Sequence, residues 1–317
     1  ILALKYRPLN FQDLIGQEYL VETIQKSIHQ NKIPNAYIFT GIRGVGKTTT
    51  ARIVAKMLNC TVFDKNNNPD LINCEQAKAI TEDRHPDVIE IDAASNTSVE
   101  NAREIIENVK YNPVLGKYKV YIVDEVHMLS KSAFNALLKT LEEPPPHSKF
   151  IFATTEISKV PITILSRCQR FDLRRVEKKT ISDFLKSIAK KEGITISNEA
   201  LNLIVKASDG SVRDSLSILD QANVFKSQKE IQVEEIVNML GFARQSDLYE
   251  LSRSILDNNL SKLISMLDDM YQRGSETSKI IEDMMNIINW SCKLKINQEL
   301  IKDEFLTEED KNFASYV

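Results

Sequence analysis

The chain has few cysteines, one tryptophan and little net charge, so none of these features by itself identifies a class of protein. Its 317 residues include only 4 cysteines and 1 tryptophan, and 44 acidic against 41 basic side chains leave a net charge of −3. The cysteines are scattered rather than framed as a disulfide set, which excludes a disulfide-built secreted scaffold and favours a reducing compartment. Without a basic tail or lysine block, any contact with nucleic acid has to be a local face or be shared among subunits.

Long hydrophobic runs are also lacking. No apolar run reaches the roughly 20 residues that a membrane helix requires. No basic start followed by an apolar stretch resembles a signal peptide. We therefore expect a cytoplasmic protein with no membrane partner. A chain of 317 residues is longer than one hydrophobic core usually serves, so we expect two or three domains.

Alternating apolar runs and helical patterns fill the first part of the chain. Strands are predicted at 37–40, 88–91, 119–123, 150–153 and 169–173. This alternation predicts an α/β domain with a parallel sheet over residues 1–174. Helical spacing alone follows, which predicts a small helical domain over 175–241 and a helical bundle over 242–317.

Predicted helices cover 49–58, 131–143, 181–192, 198–207, 211–225, 247–256, 260–272 and 278–297. The helix from residue 131 should stop at the run Pro144-Pro145-Pro146, since proline lacks the donor that a helix needs. The polar run 64–69 is predicted to be an exposed loop.

The most specific motif is Gly41-Ile42-Arg43-Gly44-Val45-Gly46-Lys47-Thr48, which lies between a predicted strand and a predicted helix. Backbone N–H groups of such a loop surround phosphate oxygens, the lysine adds a charge, and the hydroxyl binds Mg²⁺. A glycine-rich turn that only links two elements is the alternative, and the lysine, the hydroxyl and both flanking elements argue against it. The predicted ATP ligands are Gly41, Arg43, Gly44, Val45, Gly46, Lys47, Thr48 and Thr49.

Two later strand ends carry candidate polar groups. Asp124 and Glu125 follow an apolar run, where Asp124 would join Thr48 as a Mg²⁺ ligand and Glu125 would orient the attacking water. A solvated turn is the alternative for such a pair. Thr154 and Thr155 end another strand, where one hydroxyl could sense the γ-phosphate or both could cap the next turn. For His127 we expect packing rather than chemistry.

In this order, the phosphate loop, Asp124-Glu125 and Thr154-Thr155 resemble the AAA+ ATPases, and Ser166-Arg167-Cys168 narrows the resemblance to clamp loaders. The segments 91–95, 124–129 and 134–145 are similar to the tau/gamma family of bacterial DNA polymerase III. The similarity extends from Lys5 to about Ala222, and the remaining helices fit the oligomerisation collar of that family by pattern only.

The resemblance implies an AAA+ domain, a helical lid and a collar. It also implies an ATP-hydrolysing motor subunit that loads the sliding clamp onto primed DNA within the DNA polymerase III holoenzyme, a DNA-directed DNA polymerase. The implied partners are delta, delta′, further tau/gamma copies, the clamp and primed DNA. A longer C-terminus would add contacts with the polymerase core and the helicase.

Several site roles are implied only by the resemblance. Arg167 would be an arginine finger acting in trans on a neighbouring subunit's ATP, and Arg213 a lid sensor of the γ-phosphate in the same chain. Without the resemblance, both arginines would be interpreted as surface salt bridges. The adenine pocket would be lined by Tyr6, Arg7, Pro8 and Ile15. The catalytic set is then Glu125, Lys47, Arg167 and Thr155.

The sequence departs from the family at two places. Only Cys60 and Cys74 stand where the family has a four-cysteine zinc module, and Ala77 replaces one ligand, so we predict no zinc. Basic residues of the family near the helix from residue 99 are Asn96 and Ser98 here. A helix cap over residues 97–100 accounts for this segment, and a DNA phosphate contact through Arg103 is the minor hypothesis.

Three other interpretations of the whole chain are open. It could be a structural clamp-loader subunit that supplies Ser166-Arg167-Cys168 without hydrolysing ATP, although its intact Lys47 and Glu125 argue against this. It could be another AAA+ machine, such as a branch-migration motor or a replication initiator, which the 137–145 signature disfavours. It could also be a nucleotide-gated binding module for other replication proteins.

Overall fold

The computed structural model describes residues 1–65, 68–95, 99–225, 229–240, 245–272, 277–297, 306 and 308–316. Five strands form one sheet in the order β2-β3-β4-β1-β5, and all the pairings are parallel. The strands are β1 (Ala36–Thr40), β2 (Val88–Asp92), β3 (Lys119–Asp124), β4 (Ser148–Thr154) and β5 (Gln169–Asp172). Because the strands are parallel, their carboxyl ends share one edge, where Thr40 is in register with Thr154 and Asp92 with Asp124.

The helices of the described residues extend from one end of the chain to the other. The first seven accompany the sheet: α1 (Leu2–Lys5), α2 (Glu18–His29), α3 (Lys47–Asn59), α4 (Glu75–Thr81), α5 (Val99–Val109), α6 (Lys131–Glu142) and α7 (Ile162–Leu165). The others are α8 (Lys178–Glu192), α9 (Asn198–Ala207), α10 (Val212–Phe225), α11 (Val233–Leu240), α12 (Gln245–Leu256), α13 (Leu260–Gln272), α14 (Thr277–Ile296) and α15 (Glu308–Tyr316). None of these described helices is long and apolar enough to cross a membrane.

Alternate residues of the central strands feed two separate cores. Tyr37 and Phe39 of β1 pack with Ile53 of α3, whereas Ile38 of the same strand packs with Phe134 and other residues of α6. Successive side chains of a strand point to opposite faces, so a strand buried on both faces must be apolar throughout. This requirement explains the uninterrupted apolar runs of β1, β3 and β4, which are buried almost throughout.

The chain divides into two compact units, one made of 1–183 with 208–217 and the other of 184–207 with 218–317. In the second unit, apolar residues of α12, α13, α14 and α15 form a core that includes Leu251, Met270, Ile280 and Phe313. The three domain boundaries predicted from the sequence stay a prediction.

The predicted parallel α/β sheet is confirmed, and each predicted strand lies within a residue or two of its observed bounds. Helix α6 ends at Glu142, one residue earlier than predicted, and Glu143 separates it from the proline run. Four longer helices, α2, α4, α11 and α15, were not predicted. The polar run 64–69 is bounded by an antiparallel bridge between Phe63 and Pro69.

Candidate functional site

The phosphate loop joins the end of β1 to the first turn of α3. Gly44 and Gly46 adopt φ of +78° and +106°, a region that residues with a Cβ rarely occupy. Gly46 is the residue before the first turn of α3, so the loop reverses direction there and leads directly into the helix N-terminus. Val45 is buried in the core below the sheet edge, whereas the Arg43 side chain is exposed. Val45 therefore anchors the centre of the loop in the core, while Arg43 on the loop stays exposed to solvent.

Lys47 is buried within the loop that it follows. Its Nζ donates hydrogen bonds to the carbonyl oxygens of Gly41 at 3.0 Å and Ile42 at 3.1 Å, and lies 3.9 Å from Glu125 Oε1. Burial lowers the pKa of Lys47, and the nearby carboxylates of Glu125 and Asp124 oppose that shift. The ammonium group is thus held inside the loop by acceptors that a phosphate could replace.

Thr48 and Asp124 meet across the edge of the sheet. The Thr48 hydroxyl donates a hydrogen bond of 2.6 Å to Asp124 Oδ2. Asp124 Oδ1 accepts a hydrogen bond from the backbone N–H of Glu125 at 2.9 Å. A hydroxyl and a carboxylate oxygen therefore lie side by side, and these are the oxygen ligands that Mg²⁺ takes in proteins. The two residues fit the metal that the sequence implies.

Glu125 is held in an uncommon backbone conformation. Its φ and ψ are both 47°, a left-handed region in which a residue with a side chain is strained. Oε2 of its carboxylate accepts hydrogen bonds from the backbone N–H of Thr155 at 3.0 Å and the Thr155 hydroxyl at 2.9 Å. The structure therefore brings Lys47, Thr48, Asp124, Glu125 and Thr155 together.

The two threonines at the end of β4 have separate contacts. Thr155 bonds Glu125, whereas the hydroxyl of Thr154 accepts from the backbone N–H of Glu156, two residues on, at 3.1 Å. The same hydroxyl lies 2.9 Å from His127 Nδ1. For His127 we predicted packing rather than chemistry; its side chain is only 6% exposed and makes polar contacts as well, so that expectation stays a prediction. Its position two residues after Glu125 was the only signal in the sequence.

The N-terminal segment reaches the first turn of α3. Arg7 Nε donates a 3.2 Å hydrogen bond to the Thr49 hydroxyl. Burial lowers the pKa of Arg7, and the nearby cations of Arg52 and Arg213 lower it further. The other predicted adenine-pocket residues, Tyr6, Pro8 and Ile15, are half-buried.

Residues 208–217 belong to the same compact unit as the phosphate loop. The backbone N–H of Arg213 donates a hydrogen bond of 3.3 Å to the carbonyl oxygen of Gly44. A Cβ on Gly44 would overlap the Ser211 hydroxyl and lie 3.2 Å from Arg213 Cβ. The start of α10 therefore rests directly on the loop, with the backbone and Cβ of Arg213 beside Gly44.

Arg167 lies apart from this group. Its guanidinium donates to Glu142 Oε1 at 2.5 Å and to the Thr163 carbonyl oxygen at 2.6 Å. Its side chain is 32% exposed. In the described part of the chain, Arg167 thus makes the surface ion pair that was the alternative to an arginine finger, at a position that a neighbouring molecule could reach.

Cys60 and Cys74 are both buried, in a small cluster with Ala77. The Cys60 thiol donates to the Val62 carbonyl oxygen at 3.1 Å, and burial together with the Cys74 thiol raises the pKa of Cys60 to about 12. Within the described residues, no group of three or more His, Cys, Asp or Glu side chains is placed to hold a metal. Asn96 and the predicted cap at residues 97 and 98 lie outside the described residues, as does the Arg103 side chain.

A phosphate loop after β1, a strand beside the central one of a parallel five-stranded sheet, with an Asp-Glu pair at the end of β3, defines the AAA+ class of ATPases. Family models assign the three regions in turn. Residues 16–177 match "DNA polymerase III, delta subunit", 180–227 match "DNA polymerase III clamp loader subunit, ATPase lid domain", and 231–315 match "DNA polymerase III subunits gamma and tau domain III". The chain belongs to the tau/gamma clamp-loader family of bacterial DNA polymerase III.

Similar proteins carry names of the same family. The DNA polymerase III subunit tau of Bacillus subtilis is 45% identical over 282 residues, which is 88% of this chain and 49% of that protein. The DNA polymerase III subunit gamma of Buchnera aphidicola from Schizaphis graminum is 42% identical over 295 residues, covering 93% of this chain and 80% of that protein. The chain therefore spans about half the length of the tau relatives.

A solved structure shows the same fold at low identity. The RuvB Holliday junction branch migration motor of Thermotoga maritima aligns with a TM-score of 0.57 and 16% identity, over 88% of this chain and 91% of that one. At this identity the likeness concerns the fold alone. Because sequence identity is 42–45% to the tau and gamma subunits and only 16% to RuvB, we assign the chain to the tau/gamma family and not to the branch-migration motors.

Proposed function

We propose that the chain is an ATP-binding and ATP-hydrolysing motor subunit of the bacterial clamp loader, which loads the sliding clamp onto primed DNA as part of the DNA polymerase III holoenzyme. The observation that supports this most is the cluster of Lys47, Thr48, Asp124 and Glu125 around one phosphate loop, in a chain of the tau/gamma family. A chain that serves chromosome replication would work in the bacterial cytoplasm.

ATP is the substrate, and its phosphates would lie over the loop 41–48 at the N-terminus of α3. Lys47 would exchange its two carbonyl acceptors for phosphate oxygens. Mg²⁺, held by Thr48 and Asp124, supplies charge neutralisation on the phosphates when bound. Arg7, with Tyr6, Pro8 and Ile15, would line the adenine side of the site.

Glu125 would act on the attacking water. Oε2 is fixed by Thr155, so Oε1 is the oxygen that remains directed towards the Lys47 side. A carboxylate fixed in this way can orient a water and accept its proton as the water attacks the γ-phosphate. Thr155 thereby takes part through the carboxylate that it holds.

The two arginines would link nucleotide state to assembly. Arg213 lies in the first turn of α10, whose start rests on Gly44, so a γ-phosphate above the loop would attract its side chain and hold this segment in place. Arg167 is charged and partly exposed, and it would leave Glu142 to reach the ATP of a neighbouring subunit. The neighbours would be delta, delta′ and further tau/gamma copies.

The structural-subunit alternative has one observation in its favour, because residues 16–177 match a model described as a delta subunit. A subunit that does not hydrolyse ATP would not need a Glu125 with a strained backbone and a carboxylate held by Thr155 next to the phosphate loop. We therefore favour the motor over the structural subunit and over a binding module that only senses nucleotide.

The test is reconstitution with partner subunits, clamp and primed DNA. We expect ATP hydrolysis to rise when all components are present, and Glu125→Gln to abolish that rise while ATP still binds. A wild-type complex whose ATPase does not respond to clamp and DNA would contradict the motor function. Lys47→Ala distinguishes a motor from a nucleotide-gated binding module. The variant of a binding module would lose assembly, whereas the variant of a motor would lose clamp loading.

A further inference from the structure

His127, whose side chain is largely buried, lies beside the Glu125 carboxylate and has no part in the function proposed above. It belongs to a short 3-10 helix, Val126–Met128, directly after β3. Only 6% of its side chain is exposed, Nδ1 lies 3.4 Å from Glu125 Oε2, and Nε2 lies 3.5 Å from Glu156 Oε1. The imidazole therefore fills the space between two carboxylates.

Both ring nitrogens of His127 face oxygen atoms. In addition to the two glutamates, Nδ1 lies 2.9 Å from the Thr154 hydroxyl, which also accepts from the backbone N–H of Glu156. Buried ring nitrogens normally have polar partners, because an unpaired polar atom in the interior is costly. What is particular to His127 is that one of these partners is the carboxylate of Glu125.

The Glu125 carboxylate has two different ends as a result. Oε2 faces Thr155 and His127, whereas Oε1 lies 3.9 Å from Lys47 Nζ. Terminal carboxylate torsions are broad and soft. Two hydrogen bonds from Thr155 hold Oε2, and the imidazole, 3.4 Å from the same oxygen, further limits rotation of the carboxylate.

We propose that His127 is a positioning residue for Glu125, acting from Nδ1 together with the Thr154 hydroxyl. The proposal rests on the proposed function, because it assumes that Glu125 orients the attacking water. Its physical basis is the cost of misplacing a catalytic group, which reaches roughly 100-fold in rate for a displacement of about 1 Å. His127 does not touch the substrate and acts only through the carboxylate.

Three substitutions in the reconstituted complex separate positioning from packing. Asparagine places an amide near Nδ1, glutamine places one near Nε2, and phenylalanine keeps the ring without either nitrogen. We expect His127→Asn to keep kcat within about threefold of wild type, and His127→Gln and His127→Phe to lower kcat by roughly 10- to 100-fold. KM for ATP and the binding of a fluorescent ATP analogue should change by less than about twofold, since Lys47 and Thr48 are untouched.

Controls isolate the effect from general damage. His29→Asn changes an exposed histidine of α2 that bonds only the Gln25 carbonyl oxygen at 2.8 Å in the described structure, and it should leave kcat unchanged. Melting temperature shows whether each variant folds. If His127→Phe does not fold, the difference in kcat between His127→Asn and His127→Gln decides the matter.

Two results would overturn the proposal: a wild-type kcat for His127→Gln, or equal losses in the asparagine and glutamine variants accompanied by weaker ATP binding. The latter would mean that His127 only supports the structure. Failure of the proposed function would look different, since the wild-type complex would then show no stimulated hydrolysis or Glu125→Gln would hydrolyse ATP normally.

Discussion

The Thr48 hydroxyl donates a 2.6 Å hydrogen bond to Oδ2 of Asp124, although 76 positions separate the two residues in the sequence. Thr48 lies in the first turn of α3 after β1, and Asp124 ends β3, with β4 between these strands in the sheet. The bond therefore closes the phosphate loop over the edge of the sheet. It also brings the Thr48 hydroxyl oxygen and an Asp124 carboxylate oxygen together. A bound Mg²⁺ could contact both oxygens, where the hydroxyl proton now lies between them.

Asp124→Asn should remove the charged partner of that cation. We expect ATPase in the assembled complex to fall on the order of 100-fold, because a metal clamp on phosphate oxygens is worth several kcal/mol. The Mg²⁺ concentration for half-maximal rate should also rise. Asp92→Asn is the matched control, because Asp92 ends the neighbouring strand in register with Asp124 and its carboxylate accepts from Ala94 and Ser95. Equal losses in both variants would contradict the metal role.

Much of this site follows from the sequence, because its elements are local. Apolar runs set the strands, and parallel pairing then brings their ends, Thr40, Asp124 and Thr154, to one edge. The division of labour between Thr154 and Thr155 could not be predicted, since it depends on which hydroxyl faces Glu125. The contacts of His127 were missed for the same reason, because they are made in space by residues of another strand.

Arg167→Ala should abolish the stimulation of ATPase by clamp and DNA in the assembled complex. The expected loss is roughly 1,000-fold or more where a finger stabilises charge on the γ-phosphate. ATP binding by the isolated chain should be unchanged. Glu142→Gln is the control, because it breaks the same surface ion pair from its other end. It should alter stability by less than about 0.5 kcal/mol and leave stimulation intact. If Glu142→Gln loses stimulation as severely, Arg167 acts through its own chain.

Gly44→Ala should weaken ATP binding and separate the start of α10 from the phosphate loop. The new Cβ would overlap the Ser211 hydroxyl, and the positive φ of Gly44 adds backbone strain of about 1–2 kcal/mol. Nucleotide titration and thermal melting measure the two effects. Gly193→Ala is matched in strain, with a φ of +65°, but its Cβ would meet nothing within 4 Å. Similar losses of ATP binding in both variants would show that the contact with Ser211 is unimportant.

Lys56→Met should stabilise the protein near neutral pH. Lys56 is 4% exposed, and burial, followed by Arg52 and Arg7, lowers its pKa from 10.5 to about 8. Below the folded pKa both states carry the charge, and its burial destabilises the fold. Between about 8 and 10.5 the folded state binds fewer protons than the unfolded state, so stability rises with pH.

Urea unfolding from pH 7 to 10 checks this prediction. The variant should exceed wild type by about 1 kcal/mol at pH 7, and the difference should shrink as the pH rises. Lys32→Met, at an exposed position after α2, controls for the loss of one positive charge and should show no such pH dependence. A constant difference between Lys56→Met and wild type across this range would exclude the buried ammonium as its cause.

Met285→Glu should impair assembly with partner subunits while leaving the fold of the second unit intact. Ile281, Met285 and Ile288 of α14 are 56%, 66% and 56% exposed, and their spacing of four and three residues puts them on one helix face. Ile287 points instead into the core with Leu251 and Phe313. A charge buried in a subunit interface costs several kcal/mol, whereas the same charge in solvent costs little. Asn286→Glu adds that charge at an exposed neighbouring position. Sedimentation of the mixed subunits should therefore show dissociation for Met285→Glu alone, and comparable assembly of the two variants would remove this face of α14 from the interface.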